Sequence, residues 1–428
     1  MSAVLFSFLI GAIAIGLPVA LALAIAALAG VIICSPIDPI IIVQRFFTAM
    51  DSFPIMAIPF FMIAGLVMEF GGISRRLINF VYLLLGKLSG GLAIVTVITS
   101  CFFGALTGSS PATVAAVGGI MIPSMIKEGY DEKFALATSA TAGFLGPIIP
   151  PSICFVTFGV ATGASIGALF IAGVIPGILL AMGMSGYAYY IGRQKGYRIK
   201  DDRKVTGAEL WAASKEASWA LLMPVIILGG IYGGIFTPTE AACVALFYGL
   251  FLGLFIYKEV TWKELPALFK KSAINSALVM FIIACATAFG YVMTRYMIPA
   301  SIARFVTQVT SDPVIFLLIV NVMLLILGTF METNAAIMLT APILMPIALA
   351  MKIDPILFGT VMVVNLCIGM ITPPLGVNLY VAAGIHGGTI AKVVNKYLIW
   401  YLIVSVAILM LITYIPAISL TLPSLLQR

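Results

Sequence analysis

The chain has 428 residues, of which 62% are hydrophobic and only 9% charged, with a mean hydropathy of +1.18 and a formal net charge of +7 at pH 7. Ordinary soluble domains carry about a quarter charged residues, so this composition excludes them and points to a polytopic integral membrane protein. One histidine, His386, excludes sites built from several imidazoles, and six isolated cysteines (Cys34, Cys101, Cys154, Cys243, Cys285 and Cys367) lack the spacing of metal or redox pairs.

The run from Ala3 to Ile37 contains no charge. A bilayer span needs roughly 20 apolar residues, and no Lys or Arg precedes the run, so it reads as a retained membrane helix and not a signal peptide. Next, Ile73, Leu77, Val81 and Leu84 alternate with Ser74, Arg75, Arg76 and Asn79 at helical period, as expected of an amphipathic helix lying in the interface.

A polar tip, Phe103-Gly104-Ala105-Leu106-Thr107-Gly108-Ser109-Ser110-Pro111-Ala112, then interrupts an apolar region. Its apolar flanks are roughly 14 residues each, short for full spans, which predicts a re-entrant helical hairpin. Gly146-Pro147-Ile148-Ile149-Pro150-Pro151 follows. Proline removes a backbone donor and glycine tolerates unusual dihedrals, so this segment reads as two half-helices around an unwound centre.

Arg193, Lys195, Arg198, Lys200, Arg203, Lys204 and Lys215 crowd one loop, and Lys258, Lys263, Lys270 and Lys271 crowd another. Both loops are expected on the cytoplasmic side, and Trp219 to Tyr257 has the length of two helices that leave and return to that side. Nucleic-acid binding has no separate support. Between those helices Thr237-Pro238-Thr239-Glu240 has the form of a capping box, with a functional carboxylate as the other reading. Trp262 to Lys271 reads as a further interfacial helix. Ile298, Ile302, Phe305 and Val309, alternating with Ser301, Arg304 and Gln308, form another amphipathic segment.

The remaining elements repeat the earlier ones. Leu327-Gly328-Thr329-Phe330-Met331-Glu332-Thr333-Asn334-Ala335-Ala336 is a second polar tip, and Gly369-Met370-Ile371-Thr372-Pro373-Pro374 a second break, 223 residues after the first (369 − 146). Pro123 and Asp131 match Pro346 and Asp354 at the same offset (346 − 123, 354 − 131). Duplicated halves with matching breaks describe a secondary transporter, because uncovered main-chain groups at mid-membrane depth can hold an anion or a cation. The serines, threonines and asparagine of the tips also favour helix starts, so capping is the competing reading for them.

The titratable groups expected in the core are limited to Glu332 and Glu240, while hydroxyls, amides and glycine carbonyls abound, which favours sodium over proton coupling. Gly86-Lys87 is followed by Leu88, so no phosphate loop exists, and there is no His-Glu-x-x-His pair. An enzyme or ATP-driven pump is therefore not expected. A passive anion channel is the remaining alternative class.

Taken together, Gly-Ser-Ser-Pro-Ala-Thr at 108–113, Gly-Pro-Ile-Ile-Pro-Pro, Thr-Pro-Thr-Glu-Ala-Ala at 237–242, Glu-Thr-Asn-Ala-Ala at 332–336 and Pro-Pro-Leu-Gly-Val-Asn at 373–378 resemble the large membrane subunit of tripartite ATP-independent periplasmic (TRAP) transporters over essentially the whole chain. The resemblance implies a multi-pass bacterial inner-membrane protein importing an organic anion with sodium by an elevator motion. Sialic acid is the first substrate expectation and four-carbon dicarboxylates the main competitor. It also implies a small four-helix membrane subunit, a periplasmic substrate-binding protein and surrounding membrane lipid as partners.

The fold implied is all-α, with about 11 transmembrane helices, two re-entrant hairpins and two inverted repeats with broken helices. The expected partition is 1–90 for N-terminal scaffold helices and an arm, 91–165 for the first transport repeat, 166–311 for central scaffold helices and the basic loop, 312–390 for the second transport repeat, and 391–428 for a C-terminal helix. Carried over by motif, Ser109, Ser110, Pro111, Thr113, Gly143 and Gly146 make one sodium environment. Thr329, Thr333, Asn334, Gly369 and Thr372 make a second. Ser110, Asn334 and Asn378 would meet the substrate, and Arg295 is a candidate anion partner that also suits a snorkelling interfacial position.

Overall fold

The computed structural model describes residues 1–198, 206–309 and 312–426, and within these every regular element is helical. Lys200, Arg203 and Lys204 of the basic loop, and the side chains of Phe305, Gln308 and Val309, lie outside the described residues. Eight helices among the described residues are long and apolar enough to cross a membrane. The shorter apolar helices include the pieces that the proline and glycine signals cut.

Both hairpins are present. The first runs through Gly91–Thr107, turns at Gly108 (φ +59°) and returns through Ser110–Thr113, Val114–Gly118 and Gly119–Lys127. The second runs through Pro313–Phe330, turns at Met331 and Glu332, and returns through Thr333–Ala350. Each is followed by a helix in two pieces: Glu132–Ala142 and Ile153–Thr162, then Pro355–Gly369 and Val377–Ile385. Asp131 and Asp354 cap the starts of the two broken helices, accepting from Lys133 N at 2.9 Å and from Ile356 N at 2.8 Å. The peptide bonds Pro150–Pro151 and Pro373–Pro374 are both cis.

Glycine sets how closely hairpin and break approach. A Cβ on Gly104 would overlap the Cα of Gly146, and one on Gly369 would lie 2.6 Å from the Cα of Gly328. Lipid gives no hydrophobic drive between helices, so backbone contact of this kind, through small residues, supplies the packing. Gly104 and Gly328 are themselves repeat mates (328 − 104 = 224).

Polar side chains tie the same elements inside the bundle. Asn365 Nδ2 donates to Asn321 Oδ1 at 2.7 Å and Asn321 Nδ2 to Thr413 Oγ1 at 3.0 Å, joining the second hairpin, the second broken helix and the helix Lys396–Tyr414. Thr138 and Tyr401 hydroxyls meet at 3.0 Å on the other side of that last helix. At the end of the bundle rich in basic residues, Lys392 Nζ sits 2.9 Å from Glu132 Oε1, with His386 Nε2 at 3.6 Å, so the single histidine bridges the ends of the two broken helices. Tyr130 stacks on Tyr197 with ring centroids 4.5 Å apart at this same end.

The flanking helices pack differently from expectation in two places. The uncharged N-terminal run is split at Gly16 (φ +84°) and Pro18 into Ser2–Ala14 and Val19–Cys34, which pack on each other. Trp262 to Lys271 is not a separate interfacial helix. Thr261 and Glu264 form a cap there, with Thr261 N donating to Glu264 Oε2 at 2.8 Å, and the 31-residue helix Leu265–Arg295 begins at once. That backbone donor holds the Glu264 carboxyl below its usual range. The signal was ambiguous because a basic, amphipathic first turn looks the same whether or not a span follows it.

The interfacial helix Ile73–Leu85 is present and buries Ile73, Leu77 and Val81, while Leu84 is exposed. Arg76 Nη1 reaches Glu259 Oε1 at 2.7 Å and Arg75 Nη2 reaches Glu259 Oε2 at 2.8 Å, and the Arg76 guanidinium lies 4.0 Å from the Tyr257 ring centroid. Thr237 and Glu240 form the expected capping box.

Candidate functional site

The tip of each hairpin touches the second half of the broken helix belonging to the other repeat. Ser110 Oγ donates to Asn378 Oδ1 at 3.0 Å and accepts from Asn378 Nδ2 at 2.7 Å, while Asn378 Nδ2 also donates to Ala140 O at 3.1 Å. The Thr157 hydroxyl lies 2.9 Å from Asn334 Oδ1 and 2.9 Å from Ile153 O, sharing its one proton between them. Ser110 and Asn334 are repeat mates (334 − 110 = 224), whereas their partners Thr157 and Asn378 are 221 apart (378 − 157), so each tip reaches the opposite repeat at a different position of the half-helix.

The first break carries an oxygen cradle. A Cβ at Gly146 would lie 2.7 Å from Thr113 Oγ1, 3.0 Å from Ser109 O and 3.2 Å from Gly143 O, so three oxygens converge on the face that glycine leaves bare. Ser152 Oγ donates to Pro147 O and accepts from Phe155 N at 3.3 Å, which closes the unwound stretch and starts the next half-helix. Pro111 stands at the start of the return helix, where its missing N–H costs nothing.

In the second repeat Met370 O and Thr372 O lie 2.8 and 3.1 Å from a Cβ position on Gly376 (φ +45°), and Gly376 N donates to Thr329 O at 3.2 Å. Thr333 Oγ1 is buried and has no hydrogen-bond partner among the described residues. Thr329 Oγ1 and Thr372 Oγ1 donate to Ile326 O and Ile368 O at 2.7 and 3.0 Å, one turn back in their own helices. Glu332 caps the return helix: it accepts from Asn334 N at 2.8 Å, Ala335 N at 3.1 Å and Asn334 Nδ2 at 2.8 Å. Gly369 is buried at its crossing with Gly328.

A cavity of about 660 Å³ joins the two tips. Ser109, Ser110, Pro111, Glu332, Thr333 and Asn334 line it on one side, and Glu69, Lys271 and Asn275, from the flanking helices Ala57–Phe70 and Leu265–Arg295, on the other. Because Glu69 is the penultimate residue of its helix and Lys271 falls in the second turn of the other, the cavity runs from the tips toward the basic end of the bundle.

Arg295 is not brought there. It is the exposed last residue of Leu265–Arg295, 13 residues beyond Ile282 on the cavity wall (295 − 282), or about 20 Å at 1.5 Å per residue. Asn378 is buried behind the first tip by its bonds to Ser110 and Ala140 and is not on the cavity lining. Sequence reasoning missed Thr157, Gly376, Glu69, Lys271 and Asn275. The repeated Gly104 and Gly328 were the one available signal for the crossings; nothing local marks the others.

The whole-chain family model for the tripartite ATP-independent periplasmic transporter, DctM component, matches residues 6–418. The chain belongs to this family. It is 44% identical to the isethionate TRAP transporter permease protein DctMQ of Oleidesulfovibrio alaskensis over 97% of its length, and spans 65% of that longer protein. It is 46% identical to the C4-dicarboxylate TRAP transporter large permease protein DctM of Pseudomonas aeruginosa, covering 89% of this chain and 88% of that one. The sialic acid TRAP transporter large permease protein SiaM of Vibrio cholerae is 35% identical, with 97% of each chain covered. The fold is also similar to that of Neisseria gonorrhoeae MtrF, described as an antimetabolite efflux pump, with a TM-score of 0.60 at 15% identity over 87% of this chain and 84% of that one. The TRAP subunit is thus a multi-pass bacterial inner-membrane transporter component, not an enzyme.

Proposed function

We propose that this TRAP large subunit is a sodium-coupled importer of an organic anion, working by an elevator motion in which both hairpins and both broken helices move as one body against the flanking helices. The observation that carries the reading is the doubled cross-repeat contact, Ser110 with Asn378 and Asn334 with Thr157, at the head of the cavity. It ties each tip to the opposite repeat, as a unit that moves whole requires.

Sodium coupling is supported by the donor set. Three oxygens converge at Gly146, carbonyls converge at Gly376, and the Thr333 hydroxyl is unsatisfied nearby. Neutral oxygens on unwound backbone suit a partly dehydrated sodium ion. Proton coupling through Glu332 is disfavoured, because its carboxylate is already engaged by three N–H donors as a helix cap.

The substrate would sit in the cavity between the hairpin-tip hydroxyls and amides and the flanking-helix wall. Identities of 44% and 46% to the isethionate and dicarboxylate permeases, against 35% to the sialic acid permease, favour a small sulfonate or carboxylate over sialic acid. A small membrane subunit would brace the flanking helices and a periplasmic binding protein would deliver the anion. With the basic end cytoplasmic, the cavity orientation supports an inward-facing state.

The test is uptake into liposomes holding this subunit, the small subunit and the binding protein, with labelled isethionate, succinate and sialic acid under imposed sodium or proton gradients. Accumulation driven by sodium alone is the expected result. Downhill flux of similar size without any gradient would instead make the protein a channel.

A further inference from the structure

Three polar side chains on the flanking-helix wall of the cavity are unaccounted for by packing. Glu69, Lys271 and Asn275 each face the space shared with the hairpin tips. Among the described residues none of the three has a hydrogen bond, and neither charged group has an ion pair within 4.0 Å. The Lys271 ammonium rests 5.1 Å from the Phe70 ring centroid. An arrangement built only for stability would have closed Glu69 onto Lys271, since an ionisable group within a membrane helix is costly unless paired or functional.

The spacing makes the wall a designed face. Lys271, Asn275, Leu278, Val279 and Ile282 follow one another at helical intervals of four, three, one and three residues and share one side of Leu265–Arg295. The bland alternative is a lysine snorkelling at the interface. It would account for Lys271, but not for Glu69, which also lines a smaller recess of about 60 Å³ with Thr107, Ser109 and Asn275. Gly65 holds this recess narrow, since a Cβ there would come within 3.0 Å of the Thr107 Cα.

We propose that Glu69, Lys271 and Asn275 form a half-site that selects a hydroxylated organic monoanion and discriminates against dicarboxylates. The reading rests on the transport function proposed above. Lys271 takes the anionic head, Glu69 accepts a hydroxyl proton of the substrate, and Asn275, one turn from Lys271, can donate or accept between them. A second carboxylate on the substrate would face Glu69 and be repelled, which makes Glu69 the specificity element through an unfavourable contact. A site that hydrogen-bonds a hydroxyl also disfavours an analogue lacking it, because its polar group is left unpaired.

Equilibrium binding of labelled isethionate and labelled succinate to the purified large–small subunit complex in sodium tests this, with no binding protein present to impose its own preference. Lys271→Gln should weaken both ligands about tenfold, the cost of about 1.4 kcal/mol, and Lys271→Arg should restore most of the loss. Glu69→Gln should weaken isethionate and strengthen succinate, moving their affinity ratio by at least about tenfold. An unchanged ratio in Glu69→Gln, with wild-type binding intact, overturns the half-site and leaves the transport reading standing. A wild-type complex that binds neither anion also overturns the half-site, and liposomes that accumulate none of isethionate, succinate and sialic acid would overturn the transport reading as well.

Discussion

Ser110 and Asn378 are 268 residues apart in the chain yet share two hydrogen bonds, of 3.0 and 2.7 Å, in the buried centre of the molecule. Together with the 2.9 Å contact between Thr157 and Asn334 at the other tip, they fix the two halves to each other at the level of the hairpin tips.

Removing this contact should be costly and non-additive. Asn378→Ala leaves Ser110 and the Ala140 carbonyl without their partner, a loss of about 1–3 kcal/mol for a buried group. Paired with Ser110→Ala, thermal unfolding of the four variants should yield a coupling energy above about 0.5 kcal/mol. Strict additivity would mean the tip does not bear on the opposite repeat.

The glycine crossings should separate from glycines in open space. Gly104→Val and Gly328→Val drive a side chain into the backbone of the break and should abolish accumulation of folded protein in the membrane. Gly229→Ala, where nothing lies within 4 Å, should be tolerated and gain about 0.5–1 kcal/mol from helix propensity. Fluorescence-detected size exclusion after membrane extraction reads both.

The oxygen cradle predicts a sodium phenotype. Thr113→Ala removes one of the three oxygens at Gly146, and Thr333→Ala removes the unsatisfied hydroxyl. Each should raise the sodium concentration for half-maximal uptake by about five- to thirtyfold, the equivalent of about 1–2 kcal/mol, and so should Asn334→Ala. Sodium curves superimposable on wild type would remove the residue in question from the ion site.

At the basic end, Glu259→Gln breaks the paired contacts from Arg75 and Arg76. Arg75 is exposed while Arg76 and Glu259 are partly buried, and surface ion pairs contribute about 0–1 kcal/mol each, so the unfolding temperature should fall by a few degrees and more at low salt than at high. Uptake per folded molecule should stay the same, because Glu259 packs against Gly72, Arg75 and Arg76 at the start of the interfacial helix and is not on the cavity lining.

Much of this architecture can be read from single residues. Pro150, Pro151, Pro373 and Pro374 locate both breaks because proline acts on its own neighbours, and the Asp131/Asp354 repetition locates both caps. The tip residues Ser110 and Asn334 are legible for the same reason. What escaped is non-local: Thr157 and the Ser110 partner of Asn378 are found only across the repeats, and Glu69 and Lys271 face one cavity only because two helices distant in sequence are packed together. Arg295 shows the converse: its charge is visible in the sequence while its distance from the cavity is not, and its exposed place at a helix end fits the snorkelling reading.

The backbone contacts at Gly104/Gly146 and Gly328/Gly369 have a mechanical meaning as well. With no side chain between them to flex or slip, a hairpin cannot advance while its neighbouring broken helix stays behind. Under the elevator motion proposed above, a displacement at one tip would be handed on without slack, and two separate local events would become a single stroke.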